Sequence, residues 1–270
     1  MEKYEWMNTY EKMLENDAVT FEETVGFVNK HKPDKLYAYR KFDKYWRKNM
    51  FEGCIHLAPA SKFNDPFDCC PMYDLYNSKG DLGKAYRFFC EKRSIPKYDL
   101  AKKEIDVQIE KLKKRIQDEI KVSCFTEDCN SILMWSYYAN NHKGFCVEYD
   151  TESWIFKKLL LPVIYKHERY DATKILERPN ENLAMNPVIY KADCWKHEKE
   201  WRIFLDRHNP SFEKDDFIIK EYISGVYLGA NVQENDNWET TLDEIKKWGK
   251  ENDIPIYQMK LDDKKYEIKF

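Results

Sequence analysis

Residues Trp195–Leu205 read Trp-Lys-His-Glu-Lys-Glu-Trp-Arg-Ile-Phe-Leu. In a strand, successive side chains point to opposite faces. Glu198, Glu200, Arg202 and Phe204 then share one face, and Lys199, Trp201, Ile203 and Leu205 share the other. Trp201, Ile203 and Phe204 are residue types that favour strands. The pattern therefore predicts a strand rather than a helix end, where Glu198 and Arg202 would form only a weak i,i+4 surface pair. Such a strand must bury its apolar face in a sheet. On its reverse it carries two carboxylates and a guanidinium, which need partners or a ligand if they are enclosed.

The remaining strand signals have to supply that sheet. Lys35–Phe42 alternates, with Leu36, Ala38, Arg40 and Phe42 on one face, so Arg40 interrupts an otherwise apolar row. Further strands are predicted at 54–57, 122–126, 145–150, 162–166, 217–222, 225–228 and 254–260. Helices are predicted at 3–16, from a Thr20 N-cap to about Lys30, at 132–139 with Leu133 and Trp135-Ser136 packing inward, and at 240–250. Residues 171–186 read as helical or irregular, and 206–216 as a polar loop. A helical insert spans 81–93 and 97–121, where Ile105, Ile109, Leu112, Ile116 and Ile120 form an apolar stripe. Strands without regular βα alternation imply an α+β fold with mixed, mostly antiparallel sheets and helical additions. The length fits one domain: helices over 1–32, a core at 35–80 and 122–270, and the insert at 81–121.

Only eight glycines are present, which disfavours a glycine-rich phosphate loop, and the net charge of -3 argues against a general polyanion binder. The eight cysteines include no C-x-x-C pair and the six histidines are scattered, so no metal is expected. The polar N-terminal residues and the lack of a long apolar run point to a cytoplasmic protein with free thiols and no membrane contact.

Three segments place polar residues where core is expected: Tyr39-Arg40, Ser123–Tyr138 and Glu198–Arg202. Together they offer an arginine for a phosphate, hydroxyls, aromatic rings and a glutamate pair, a set suited to a nucleotide bearing a pyrophosphate. The loop Phe63-Asn-Asp-Pro-Phe-Asp68 is either a well-made turn closed by Asn64 or a carboxylate-bearing site.

The runs Phe63–Asp68, Ser123–Thr126, Met134–Asp150 and Lys196–Arg202, with Leu36–Arg40, resemble the bacterial domain-of-unknown-function family 2971 over roughly residues 35–205. That resemblance implies an association with anti-phage or toxin systems but no established reaction. The order Arg40, Ser123/Thr126, Glu198-x-Glu200 is similar to the Arg–Ser–Glu order of mono-ADP-ribosyltransferases, although Ser123-Cys-Phe-Thr126 replaces the usual Ser-Thr-Ser. This second resemblance implies an ADP-ribosyltransferase-like fold and NAD as substrate. Arg40 would sit on the phosphates, Glu200 would be the catalytic carboxylate and Glu198 would act on the acceptor, a protein or nucleic acid. Tyr39, Ser123, Thr126, Trp135, Ser136, Tyr138 and His142 would complete the NAD site. Two alternatives stay open. Asp65, Asp68, Glu148, Glu198 and Glu200 suit a Mg²⁺-dependent nuclease. A salt-bridged core with helix 97–121 as a docking surface suits a non-enzymatic interaction module.

Overall fold

A computed structural model describes residues 2–92, 95–177, 181–206 and 216–270. Residues 207–215 of the expected polar loop, and Arg93 at the end of the first insert helix, lie outside the described residues. The strands are β1 (Lys35–Arg40), β2 (Cys54–His56), β3 (Ala58–Pro59), β4 (Ile120–Thr126), β5 (Phe145–Asp150), β6 (Leu160–Pro162), β7 (Ile164–Lys166), β8 (Tyr190–Ala192), β9 (Glu200–Asp206), β10 (Asp216–Ile218), β11 (Ile223–Leu228), β12 (Ile256–Gln258), β13 (Lys260–Leu261) and β14 (Ile268–Lys269). The helices are α1 (Glu2–Leu14), α2 (Phe21–Val28), α3 (Trp46–Phe51), α4 (Asp81–Glu91), α5 (Pro96–Glu119), α6 (Ile132–Tyr138), α7 (Trp154–Leu159), α8 (Thr173–Glu177), α9 (Glu181–Ile189) and α10 (Trp238–Glu251).

The main sheet runs β12-β11-β5-β1-β4-β9-β6, with β3 added against β4. Its pairings are antiparallel except β11–β12. A parallel β7–β8 ribbon and antiparallel β2–β10 and β13–β14 ribbons lie off this sheet. This is the α+β class the strand pattern implies.

Trp201 and Ile203 of β9 join Leu36, Val122, Phe125, Phe145 and Val147 in the principal core. Tyr10, Leu14, Val25 and Val28 bring α1 and α2 onto that core. α2 starts where the sequence places it: Thr20 Oγ1 accepts from Glu23 N (3.2 Å), and the Glu23 carboxylate accepts from Thr20 N (2.8 Å). These are the two reciprocal bonds of a capping box. A smaller core gathers Tyr39, Trp135, Ala139, Cys146 and Tyr227. No described helix is long and apolar enough to cross a membrane.

Four expectations are corrected. The Trp195–Leu205 strand starts only at Glu200: Asp193–Glu198 form a 3-10 turn, and Lys199 adopts the left-handed conformation (φ 45°) that separates turn from strand. Leu133 is exposed rather than inward, while Trp135 is fully buried. The strand expected at 217–222 stops at Ile218, and Lys220–Tyr222 form a 3-10 turn. The segment expected to end at Asn186-Pro187 continues as helix to Ile189 with Pro187 inside it.

One glycine fixes the end of β1. A Cβ on Gly144 would lie 2.1 Å from the Arg40 carbonyl oxygen. Gly144→Ala must therefore push β1 and β5 apart at Arg40. It is expected to cost on the order of 1–3 kcal/mol, as overpacking does, read from urea titrations of both proteins.

Candidate functional site

β9 lies beside β4 in a register that sets Thr126 opposite Glu200 and Cys124 opposite Arg202. β1 flanks β4 on its other edge, with Tyr37 opposite Thr126. Period-2 alternation then places Tyr37, Tyr39, Cys124, Thr126, Glu200 and Arg202 on one sheet face. The 3-10 turn before β9 delivers Glu198 to the same face, and β8 contributes Lys191. The Phe63–Asp68 loop closes over it.

Arg202 has no exposed surface. Its guanidinium grips Asp68 through two parallel bonds, Nη1 to Oδ1 (2.8 Å) and Nη2 to Oδ2 (2.6 Å). On its other edge it donates to Glu200, Nε to Oε1 (2.8 Å) and Nη2 to Oε2 (3.1 Å). Nη1 also donates to the Val188 carbonyl (2.6 Å). This fork-to-fork geometry is the strong form of a charged hydrogen bond. Lys191 Nζ donates to Glu200 Oε2 (2.8 Å) and to Glu198 Oε2, and lies 3.4 Å from Asp68 Oδ2. The Tyr138 hydroxyl donates to Glu198 Oε1 (2.6 Å).

Three carboxylates thus face two cations, and the electrostatics separate the glutamates. Burial pushes the Glu200 carboxyl up, but Arg202 and then Lys191 outweigh it and hold Glu200 well below the usual range. Burial also pushes Glu198 up. Lys191 opposes that shift, the charge on Glu200 adds to it, and the result stays above the ordinary glutamate value. Burial works to discharge Lys191, yet Glu200, Asp68 and Glu198 keep it protonated. Glu200 is therefore a fixed anion, and Glu198 is the carboxylate of the pair that holds a proton more readily than an ordinary glutamate.

Glu198, Glu200, Lys191 and Tyr138 line a cavity of about 370 Å³. Arg40 and Lys62 lie on its wall. The Arg40 guanidinium donates to the Tyr39 carbonyl (3.0 Å), and among the described residues it has no carboxylate partner. Tyr39 and Thr126 also reach the cavity. The Tyr39 hydroxyl is already committed to the Asp128 carbonyl (2.8 Å), and Thr126 Oγ1 accepts from Asp128 N (3.2 Å).

The other expected residues lie elsewhere. Ser123 is buried on the opposite face of β4, beside a second cavity. Trp135 is core, with its indole donating to the Cys129 carbonyl (2.8 Å). Ser136 Oγ donates to the Ile132 carbonyl (2.9 Å) and lies 3.1 Å from His142 Nε2. His142 is half-buried, and burial lowers its pKa. Asp65, rather than Asn64, closes the turn by accepting from Phe67 N (2.8 Å). Glu148 is held by Lys35, Ser224 (2.7 Å) and Tyr227 (2.7 Å). The five carboxylates of the nuclease alternative therefore do not converge. No group of three or more His, Cys, Asp or Glu among the described residues could hold a metal ion.

Lys191 was not foreseen. Its only signal is a lysine in the otherwise apolar run Val188-Ile-Tyr-Lys-Ala192. The insert helix α5 packs on α4, with Tyr98 stacked on Phe89 at 5.7 Å, and leaves Leu100 and Val107 exposed.

No curated protein and no solved structure matches the chain. Residues 134–203 match the model of a family described as protein of unknown function (DUF2971). This segment includes Tyr138, Lys191, Glu198, Glu200 and Arg202, and over it the chain carries the DUF2971 family pattern that its motifs resemble.

Proposed function

We propose that the cavity binds NAD and cleaves its nicotinamide–ribose bond, passing ADP-ribose to an acceptor or to water. One observation carries this reading: Glu198, the carboxylate of the cluster whose pKa burial raises, lines the same cavity as Arg40, a guanidinium without a carboxylate partner among the described residues. Arg40 and the exposed Lys62 supply positive charge for a diphosphate. The bond from ribose C1′ to the nicotinamide nitrogen breaks, and its electron pair leaves with nicotinamide. The acceptor forms the new bond at C1′ and its proton passes to Glu198. Roles shift from those the sequence order implies. Glu200, locked between Arg202 and Lys191, holds the site and contributes fixed negative charge, and Glu198 does the proton transfer.

A second reading has its own support. The double fork on Arg202 is what a purely structural network needs, and such networks fix a fold without any reaction. Nicotinamide release from NAD, followed by chromatography with and without protein and nucleic-acid acceptors, separates the two. The wild-type protein is expected to release nicotinamide. Arg40→Ala is expected to raise KM by about tenfold or more, the loss of one charged phosphate contact. A wild-type protein inert under every condition leaves the structural network as the reading that stands.

A further inference from the structure

A second cavity, of about 550 Å³, lies beside the first and shares three lining residues with it: Arg40, Phe63 and Cys124. Its own walls come from α3 and its approach, from β2 and from β10, none of which reaches the first cavity. We propose that this second lobe seats a nucleoside diphosphate group, with the phosphates at Arg40 and the nucleoside against the face that Tyr45 and Asn49 present. The ligand of this cleft would then be a two-part molecule bridged by phosphate. The inference rests on the first cavity being the reacting end.

Three features favour a nucleoside diphosphate over a simple anion. Cationic charge stands at the junction on Arg40 and inside the lobe on Lys48, whose ammonium is paired with Asp216. Asp216 also accepts from or pairs with His56 Nδ1 at 2.6 Å, so the Lys48–Asp216–His56 cluster is a fixed, polar wall rather than a free anion trap. The remaining wall mixes an aromatic ring, Tyr45, and uncharged hydrogen-bonding groups, Asn49 and Ser123, with one carboxylate, Asp43, whose Oδ1 accepts from Tyr45 N (2.8 Å), a mixture that suits a base and the hydroxyls of a ribose. Phe63 partitions the two lobes. Its ring lies 5.6 Å from the Arg202 guanidinium, so it shields the ion-pair network from whatever occupies the second lobe. This also gives Ser123 a place. It belongs to the second lobe, not to the glutamate side.

Calorimetric titration with ADP, nicotinamide mononucleotide and inorganic pyrophosphate tests this without requiring turnover. The wild-type protein is expected to bind ADP more tightly than pyrophosphate. Asn49→Trp, which fills the second lobe, is expected to weaken ADP by about tenfold or more while leaving nicotinamide mononucleotide unchanged. Lys48→Ala serves as a second variant if the tryptophan is not accommodated, and is expected to act in the same direction. ADP bound no better than pyrophosphate overturns the inference, as does equal weakening of both nucleotides. ADP binding that follows this pattern in a protein that never releases nicotinamide leaves the second lobe standing and removes only the proposed reaction.

Discussion

Arg202→Met is expected to lower the free energy of unfolding by about 3–5 kcal/mol, the cost of leaving buried charges without their partner. Two carboxylates lose their principal counter-charge at once: Asp68 loses both bonds of its fork, and Glu200 loses two of its three side-chain bonds to cations. Lys191 is left to serve Asp68, Glu198 and Glu200. Methionine fills much of the volume, so a cavity contributes little and the effect is electrostatic. Because Arg202 is wholly buried, added salt is expected to recover little of the loss. Urea titration of both proteins at low and high salt measures this. A loss under about 1 kcal/mol, the range of exposed pairs, would show that the network is far more hydrated than its geometry implies.

The same network fixes the sign of the acid response. Glu200 is depressed in the folded protein, so its stabilisation is present above the ordinary glutamate pKa and is lost as pH falls through the depressed value. Glu198 runs the other way. Its raised pKa favours the fold while it is protonated, and that contribution fades as pH rises through the raised value. Glu200→Gln is consequently a poor probe of chemistry, because it removes a carboxylate that two cations already hold.

Some of this was legible in the sequence. The apolar row Trp201, Ile203, Leu205 needs only period-2 alternation, and the structure buries all three. Arg40 declared itself by interrupting an apolar row, and it does line the cleft. What local pattern does not carry is long-range pairing. Asp68 and Arg202 are 134 residues apart, and no spacing rule links them. Glu198 reaches Glu200's side through a left-handed Lys199, a conformation that costs a non-glycine residue and that alternation does not anticipate. Trp135, Ser136 and His142 were drawn toward the site by their polarity. The Trp135 indole goes instead to the Cys129 carbonyl ahead of α6, and Ser136 Oγ goes to the Ile132 carbonyl within α6 and lies beside His142 Nε2 in the turn that follows, local bonding of the kind such residues often make.

Glu198→Gln is expected to reduce NAD turnover by about 10²–10⁴-fold, the usual worth of a positioned general base, while the protein remains folded. The charge count explains why folding survives. With Glu198 neutral, Asp68 and Glu200 balance Arg202 and Lys191, and the repulsion between the two glutamates disappears. The variant is therefore expected to unfold at the same urea concentration as the wild-type protein near neutral pH, or a higher one. The pH–rate profile supplies the signature that a structural role would not produce. Activity of the wild-type protein is expected to fall on the acid side as Glu198 takes up its proton, at a pH above the ordinary glutamate range. Tyr138→Phe removes one of the hydrogen bonds that favour the charged form, so it is expected to move that limb to still higher pH. A limb that stays in place in Tyr138→Phe, or turnover that survives in Glu198→Gln, assigns the proton transfer to another group.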